Sequence, residues 1–487
     1  MYKKSANTAK MDNLPLFLNG TLKSDNRWVE LAAVIPWEEV EKVYAKNFTS
    51  HTGPKALPSR VALGALIIQI KLNLTDEETV FQIIENPYLQ HFIGFESFRD
   101  YAPFDSSMMS HFRKRFKMQD IQEIDELLHK LQLLKTSPPS EQENDDDDSD
   151  LPPPEEKQEA QNQGKLIVDA SCSPADIHFP TDLGLLNKAR EKSELIIDIL
   201  WETRSNKDVK TKPRAYRKKG RRAFVKILKQ KRPGKKKLRA AINVQLCCLH
   251  RNFETIETLK QHSSLKKLGR ALYKDLLVIQ ALYSQQLKMY NKKSHSISDR
   301  IVSINQPHIR PIVRGKAGAR TEFGAKFSIS VINGWNFIDT ISFDSYNEGK
   351  ELQEQIERYK DRMGVYPESA HADKIYRNKE NRDFCKRNGI RLSGPKLGRP
   401  SKDDEKRAEQ KAQEHADEGA RNVVEGRFGI GKRRYGLDKI MAKLKGTSET
   451  VIALIFMVMN LDAIVHFLLS YFWILRLSHK ATLSMTI

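Results

Sequence analysis

Residues 136–164 decide how everything else in this chain can fold. The stretch holds Pro138-Pro139, four aspartates in a row at 145–148, then Pro152-Pro153-Pro154 and a Glu/Gln-rich run. Proline removes backbone donors and adjacent carboxylates repel, so this segment cannot build a core and reads as a solvated linker. The rest divides into a helical unit over residues 1–135, a larger unit over residues 165–470 and a tail over residues 471–487.

At 487 residues the chain has the length for roughly two to four domains. Its formal net charge of +20 survives the acidic linker and gives a pI of about 9.5, which favours a polyanionic partner. Cys172, Cys247, Cys248 and Cys385 form neither a CxxC pair nor a spaced Cys/His set, which excludes a disulfide scaffold or a zinc module. Residues 1–20 carry no apolar h-region, so a reducing, cytoplasmic location is expected. Residues 451–475 are almost wholly apolar and long enough to span a bilayer, but Asn460, Asp462 and His466 interrupt them. A pair of buried core helices is expected there, and no membrane.

In the first unit, residues 1–50 read as irregular apart from a helical piece around residues 37–44. Ser59 is placed to cap a helix carrying Val61, Leu63, Leu66, Ile67 and Ile70, which Asn73 ends. Thr75-Asp76-Glu77-Glu78 makes a capping box for a second helix that Asn86-Pro87 stops. A third, from Ser106 or Ser107, carries Arg113, Lys114 and Arg115, and a fourth is amphipathic through Ile121, Ile124, Leu128 and Leu131. Short helices with a basic third member suggest a helix-turn-helix-like DNA-binding domain.

The second unit opens with Lys165-Leu166-Ile167-Val168-Asp169-Ala170, an apolar run expected to be a buried strand with Asp169 presented at its end. A helical insertion over about residues 183–300 follows. It includes the densest basic stretch, residues 210–239, with Lys218, Lys219, Arg221 and Arg222, which reads as a phosphate-backbone surface. The pattern then switches to period two. Residues 327–332 and 335–341 flank Asn333-Gly334 and predict a hairpin with a type I′ turn, and a third strand is expected within residues 301–313. A helix over residues 348–363, a strand leading to Asp373, a helix from Asn378, a short strand at residues 390–393 and a long charged helix complete an α/β unit around a mixed sheet. That last helix brings Arg421 and Glu425 onto one face, with Lys432, Arg433 and Arg434 close behind.

Asp169, Asp373 and Glu425 thus arrive from a first strand, a later strand and a late helix. Three converging carboxylates repel unless neutralised. Divalent Mg²⁺, with Mn²⁺ as a substitute, takes such oxygen ligands. Two ions about 3.5–4 Å apart suit in-line phosphoryl transfer.

The flanking residues resemble the DDE transposases of bacterial insertion sequences, the group with a ribonuclease H-like catalytic domain. The matching stretches are Leu166-Ile167-Val168-Asp169-Ala170 with Pro180-Thr181-Asp182-Leu183-Gly184-Leu185-Leu186, residues 318–327, Ala372-Asp373-Lys374-Ile375-Tyr376, and residues 421–432. Arg421 four before Glu425 and Lys432 seven after it match the Arg-Glu-Lys part of the family signature, whose tyrosine is replaced here by Glu418. Asn86-Pro87-Tyr88-Leu89-Gln90 and Phe112-Arg113-Lys114-Arg115-Phe116 look like the family's amino-terminal domain. The resemblance implies a ribonuclease H-like mixed sheet with a large α-helical insertion behind an all-α helix-turn-helix-like domain. It further implies Asp169, Asp373 and Glu425 as ligands of two Mg²⁺ ions, and Arg421 and Lys432 as contacts to transposon-end DNA. Double-stranded DNA, as element ends and as target, would be the substrate of a homodimer near the bacterial nucleoid. The alternative is a descendant that binds DNA and no longer cuts it.

Overall fold

The computed structural model describes residues 22–48, 55–136, 161–205, 211–313, 321–394 and 404–484. The interior of the acidic linker (residues 137–160), the basic loop at residues 395–402, residues 314–320 and the last three residues of the tail lie outside the described residues.

Among the described residues, seven helices come first. Arg27–Val34 (α1) is capped by Asn26, whose side chain accepts from the Trp28 amide, and Trp37–Ala45 (α2) follows. Ser59–Leu72 (α3) is buried on nearly every side and stops where Asn73 turns left-handed at φ 53°. Asp76–Glu85 (α4) starts as its capping box predicts, with Thr75 accepting from the Glu78 amide. Pro87–Phe92 (α5), Met108–Arg115 (α6) and Met118–Thr136 (α7) complete the set. Three local expectations need correction. Helix α1 was not foreseen. Ser59 is the buried first residue of α3 and makes no cap bond. Pro87 ends α4 but also opens α5 from its first position, where a missing N–H costs nothing.

The sheet is mixed. Lys165–Pro174 (β1) lies inside it, antiparallel to Thr321–Ile332 (β3) on one side and parallel to Ser369–His371 (β5) on the other. Arg391–Leu392 (β6) extends β5 in parallel, while Arg310–Val313 (β2) pairs the start of β3 and Trp335–Ser342 (β4) pairs the rest of it. Asn333 and Gly334 carry φ of 50° and 83° between β3 and β4, as a type I′ turn requires. Asp169 is therefore mid-strand in the sheet interior, not at a strand end on an edge. Ser171, Cys172 and Ser173 continue the ladder against Phe327, Lys326 and Ala325.

Among the described residues, four α-helices between β1 and β2 form the insertion: Asp182–Glu202 (α8), Arg217–Leu228 (α9), Lys235–Lys260 (α10) and Gly269–Lys292 (α11). They bury a core of their own around Leu186, Ile196, Leu249, Ile279 and Leu282. Arg190 sits inside it, paired with Glu194 and hydrogen-bonded to Gln245 and Asn187. Leu352–Met363 (α12), Lys379–Arg387 (α13) and Asp404–Arg434 (α14) flank the sheet.

Residues 445 onward form one helix, Lys445–Ser484 (α15), where two were expected. Its stretch Lys445–Leu469 is long and apolar enough to cross a membrane, yet 72% of that apolar window is buried inside the protein. It packs against α1, α3, α6, α7 and β4, so the amino-terminal helices and the sheet share one hydrophobic core despite the linker between them. Two of its three interrupting polar residues, Asn460 and Asp462, are bonded across that seam, while His466 is exposed. Asn460 accepts from the Asn336 amide at 2.9 Å and donates to Asp125 at 3.0 Å, while Trp335 donates to the same Asp125 at 3.2 Å. Asp462 pairs with Lys71 and accepts from the Tyr435 hydroxyl. Burial pushes Asp125 up to about 7 and Lys71 down to about 8.

Candidate acidic site and basic surfaces

Parallel pairing of β1 with β5 matches Ile167 to His371, so two residues further on Asp169 and Asp373 stand level. Asp373 lies just past β5, half exposed, and its carboxylate accepts from the Lys374 amide at 2.9 Å to start the 3₁₀ turn Lys374–Tyr376. Asp169 accepts from the Ala170 amide at 2.8 Å. Burial pushes the Asp169 carboxyl up to about 6, with repulsion from Glu348 and Asp373 adding to it and Arg421 partly opposing it.

Helix α14 crosses this spot. Arg421 reaches Asp373 at 3.4 Å, Val424 and Phe428 are buried, and the Phe428 ring meets Phe327 of β3 edge-on at 5.6 Å. Glu425, one turn beyond Arg421, is exposed, and its side chain makes no ion pair or hydrogen bond among the described residues. Two of the three expected acids are brought together, with Arg421 as their counter-ion, and the third is not in contact with them. No group of three His, Cys, Asp or Glu residues stands close enough to hold a metal among the described residues. The donors that do converge are carboxylate oxygens, which suit a hard divalent cation better than a soft one. His371 is buried below them, 3.6 Å from Asp417 and 3.0 Å from Ser369, and serves the packing of β5 on α14.

Glu348 was not singled out by any sequence pattern. It opens the 3₁₀ turn Glu348–Lys350 after β4 and lies near enough to Asp169 to disfavour its ionised form. A carboxylate directly after a strand-strand-turn unit was the available signal.

The expected cationic residues are distributed unevenly. Lys218, Lys219, Arg221 and Arg222 are all exposed on α9, and Lys218, Lys219 and Arg222 border a groove of about 1060 Å³ with Arg214 and Tyr216. On α6, Arg113 is committed to a two-point bond with Asp76 at 2.6 and 2.9 Å, and Arg115 lies over the Phe48 ring at 4.2 Å, which leaves Lys114 as the exposed cation of the three. At the end of α14, Lys432 is half-buried, Arg433 is exposed, and Arg434 stands 3.9 Å from the buried Asp462.

Comparison with known proteins agrees with this layout. The family model described as a transposase DDE domain matches residues 370–462, which include Asp373 and Glu425, and a transposase domain (DUF772) matches residues 17–115. An uncharacterized protein of Rhizobium meliloti, ORF8 in the nfe locus, is 33% identical over 161 residues, covering 33% of this chain and 68% of that relative. No solved structure matches the chain. By its two transposase domains and this relative, the chain belongs to the DDE transposases.

Proposed function

We propose that the protein binds the ends of an insertion sequence, cuts the phosphodiester there and joins the freed 3′-hydroxyl to target DNA. The observation that carries this reading is Asp169 of β1 standing level with Asp373 just past the adjacent parallel strand β5, with Arg421 of α14 against Asp373. The order β4-β3-β1-β5-β6, in which β3 alone runs antiparallel to β1, supports a ribonuclease H-like sheet. Asp169, Asp373 and Glu425 would hold two divalent cations, Mg²⁺ or in its stead Mn²⁺, which when bound supply charge neutralisation at the attacking and leaving oxygens. The rest falls to the chain's own groups. Arg421 restrains the Asp373 carboxylate and offsets the repulsion between the two acids. Asp169 serves as a ligand only when ionised, so its raised pKa of about 6 predicts activity that falls below that pH. The exposed cations of α9, with Lys114, Lys432 and Arg433, hold the DNA backbone without reading its sequence. Two copies acting on paired ends, in the cytoplasm, complete the proposal.

The test is Mg²⁺-dependent cleavage of DNA carrying the element's own ends. Asp373→Ala and Glu425→Ala are each expected to abolish cleavage, by at least about a thousandfold, while DNA binding is kept. Binding without cleavage in the unaltered protein would replace this reading with that of a silent DNA-binding descendant.

A further inference from the structure

Helix α14 first meets the sheet through a carboxylate. The described side chains of residues 404–416 are exposed or half-exposed, and the first buried residue of the helix is Asp417. Both of its oxygens are engaged. Oδ2 accepts from the Arg391 guanidinium of β6 at 2.7 Å, and Oδ1 accepts from the Gln413 side chain, one turn earlier, at 3.0 Å. Oδ1 also faces Nδ1 of His371, buried on β5, at 3.6 Å, while Nε2 of that ring is bonded to Ser369 at 3.0 Å. A buried carboxylate is costly where an apolar side chain would serve for packing alone, so what it adds is direction.

The spacing of the contacts shows what that direction sets. Asp417 and Arg421 lie four residues apart on α14, a rise of about 6 Å. His371 and Asp373 lie two residues apart along the path of β5, a rise of about 6.6 Å. The two steps match, so Asp417 beside His371 and Arg421 at 3.4 Å from Asp373 are successive points of one alignment between helix and strand. Val424 and Phe428 continue the buried stripe with apolar contacts, which are non-directional and set no register. A slip of one turn would put Glu425 where Arg421 stands and exchange attraction for repulsion at Asp373.

We propose that Asp417 is a positioning residue of the acid site: it fixes the register of α14 along β5, which places Arg421 against Asp373 and Glu425 one turn beyond. This deepens the transposase reading and rests on it.

The experiment uses the full chain and two readouts. Asp417→Leu keeps the helix face packed and leaves Arg391, whose side chain is 41% exposed, free to reach water. It is expected to slow single-turnover end cleavage about a hundredfold, the scale of an ångström-sized misplacement, with DNA affinity unchanged. Asp417→Asn, which keeps an acceptor for Arg391, is expected to recover most of that rate. Arg391→Met is expected to give a smaller loss of the same kind and to add nothing to Asp417→Leu, and it repeats the test where Asp417→Leu fails to fold. The second readout needs no DNA. Nitroxide labels attached through Glu418→Cys and Lys386→Cys, exposed on α14 and α13, in a Cys247→Ser background report the helix position by double electron–electron resonance. Asp417→Leu is expected to spread or shift that distance by up to one turn, about 5.4 Å. An unchanged distance, or full-rate cleavage, in Asp417→Leu overturns the proposal. Absence of end cleavage in the unaltered chain overturns the transposase reading, while the distance still decides whether Asp417 sets the register.

Discussion

Two helical bodies flank the same sheet and are attached to it in opposite ways. The amino-terminal helices α1–α7 are separated from β1 by the most obvious break in the sequence, yet they close a common core with the sheet through α15. The insertion α8–α11 is joined to the sheet by segments of ordinary composition, residues 175–181 and 293–309, and nevertheless keeps a core to itself. A composition break therefore marks where the backbone is free of packing, not where packing ends. What unites the first body with the sheet is a seam of buried polar groups, Asp125, Asn460, Asn336, Lys71 and Asp462, each with a partner drawn from a distant part of the chain. The insertion's equivalent, Arg190 with Glu194, Gln245 and Asn187, is satisfied almost entirely from within.

The strongest test of this contrast removes one cation from each body. Lys71→Met strands the buried Asp462 and is expected to cost about 3–5 kcal/mol. Arg190→Met strands Glu194 at a cost of the same order. Denaturant melts with hydrogen exchange should separate them. Protection should fall together in α1, α3, α15 and the sheet for the first variant, and only in α8–α11 for the second. A global loss from Arg190→Met would mean the insertion's core is not separate.

The acid pair offers a contrast of another kind, because its charges repel where the seam's are matched. Asp169 has a folded pKa of about 6 against an unfolded value of 3.8, so its ionisation costs stability that is lost as pH rises through that window. Asp169→Asn should therefore gain on the order of 3 kcal/mol above pH 6 and little below about pH 4. Thermal melts at the two pH values check this, and an equal gain at both would mean the carboxyl is not perturbed.

The smallest effect compares two caps. Thr75→Ala and Thr181→Ala each delete one side-chain acceptor, at α4 and α8 respectively, and should each cost about 1 kcal/mol. The first loss should register in the sheet's exchange protection, the second only in the insertion's.

Local chemistry was the legible part of the sequence. The Thr75 capping box, the Asn333-Gly334 turn and the mixed sheet follow from residues that act on their immediate neighbours. The order of Asp169 and Asp373 along the chain also anticipated their meeting, since parallel strands bring such residues level. The missed features depend on partners far away. Asn460 and Asp462 read as interruptions that should divide an apolar run into two helices, because nothing near them reveals that Asp125 lies 335 residues away and Lys71 further still. Ser171 and Ser173 lie beyond the apolar run that marked the strand, but small polar side chains fit a strand whose face is covered by another element, as the Ser173 hydroxyl bonded to the Leu437 carbonyl illustrates. Glu348 was invisible for the same reason, since its place beside Asp169 comes from one turn packing on another.

The seam at α15 also sets a clock. Helices α3 and α7 leave the ribosome with apolar faces whose covering helix begins only at Lys445, roughly 310 residues later. At about 5–20 residues per second, that interval lasts roughly 15–60 s. For its duration Leu63, Ile67 and Ile124, buried in the finished protein, lack part of their cover, and the catalytic sheet lacks one flank. The acid site thus gains its full support only when the last long helix docks.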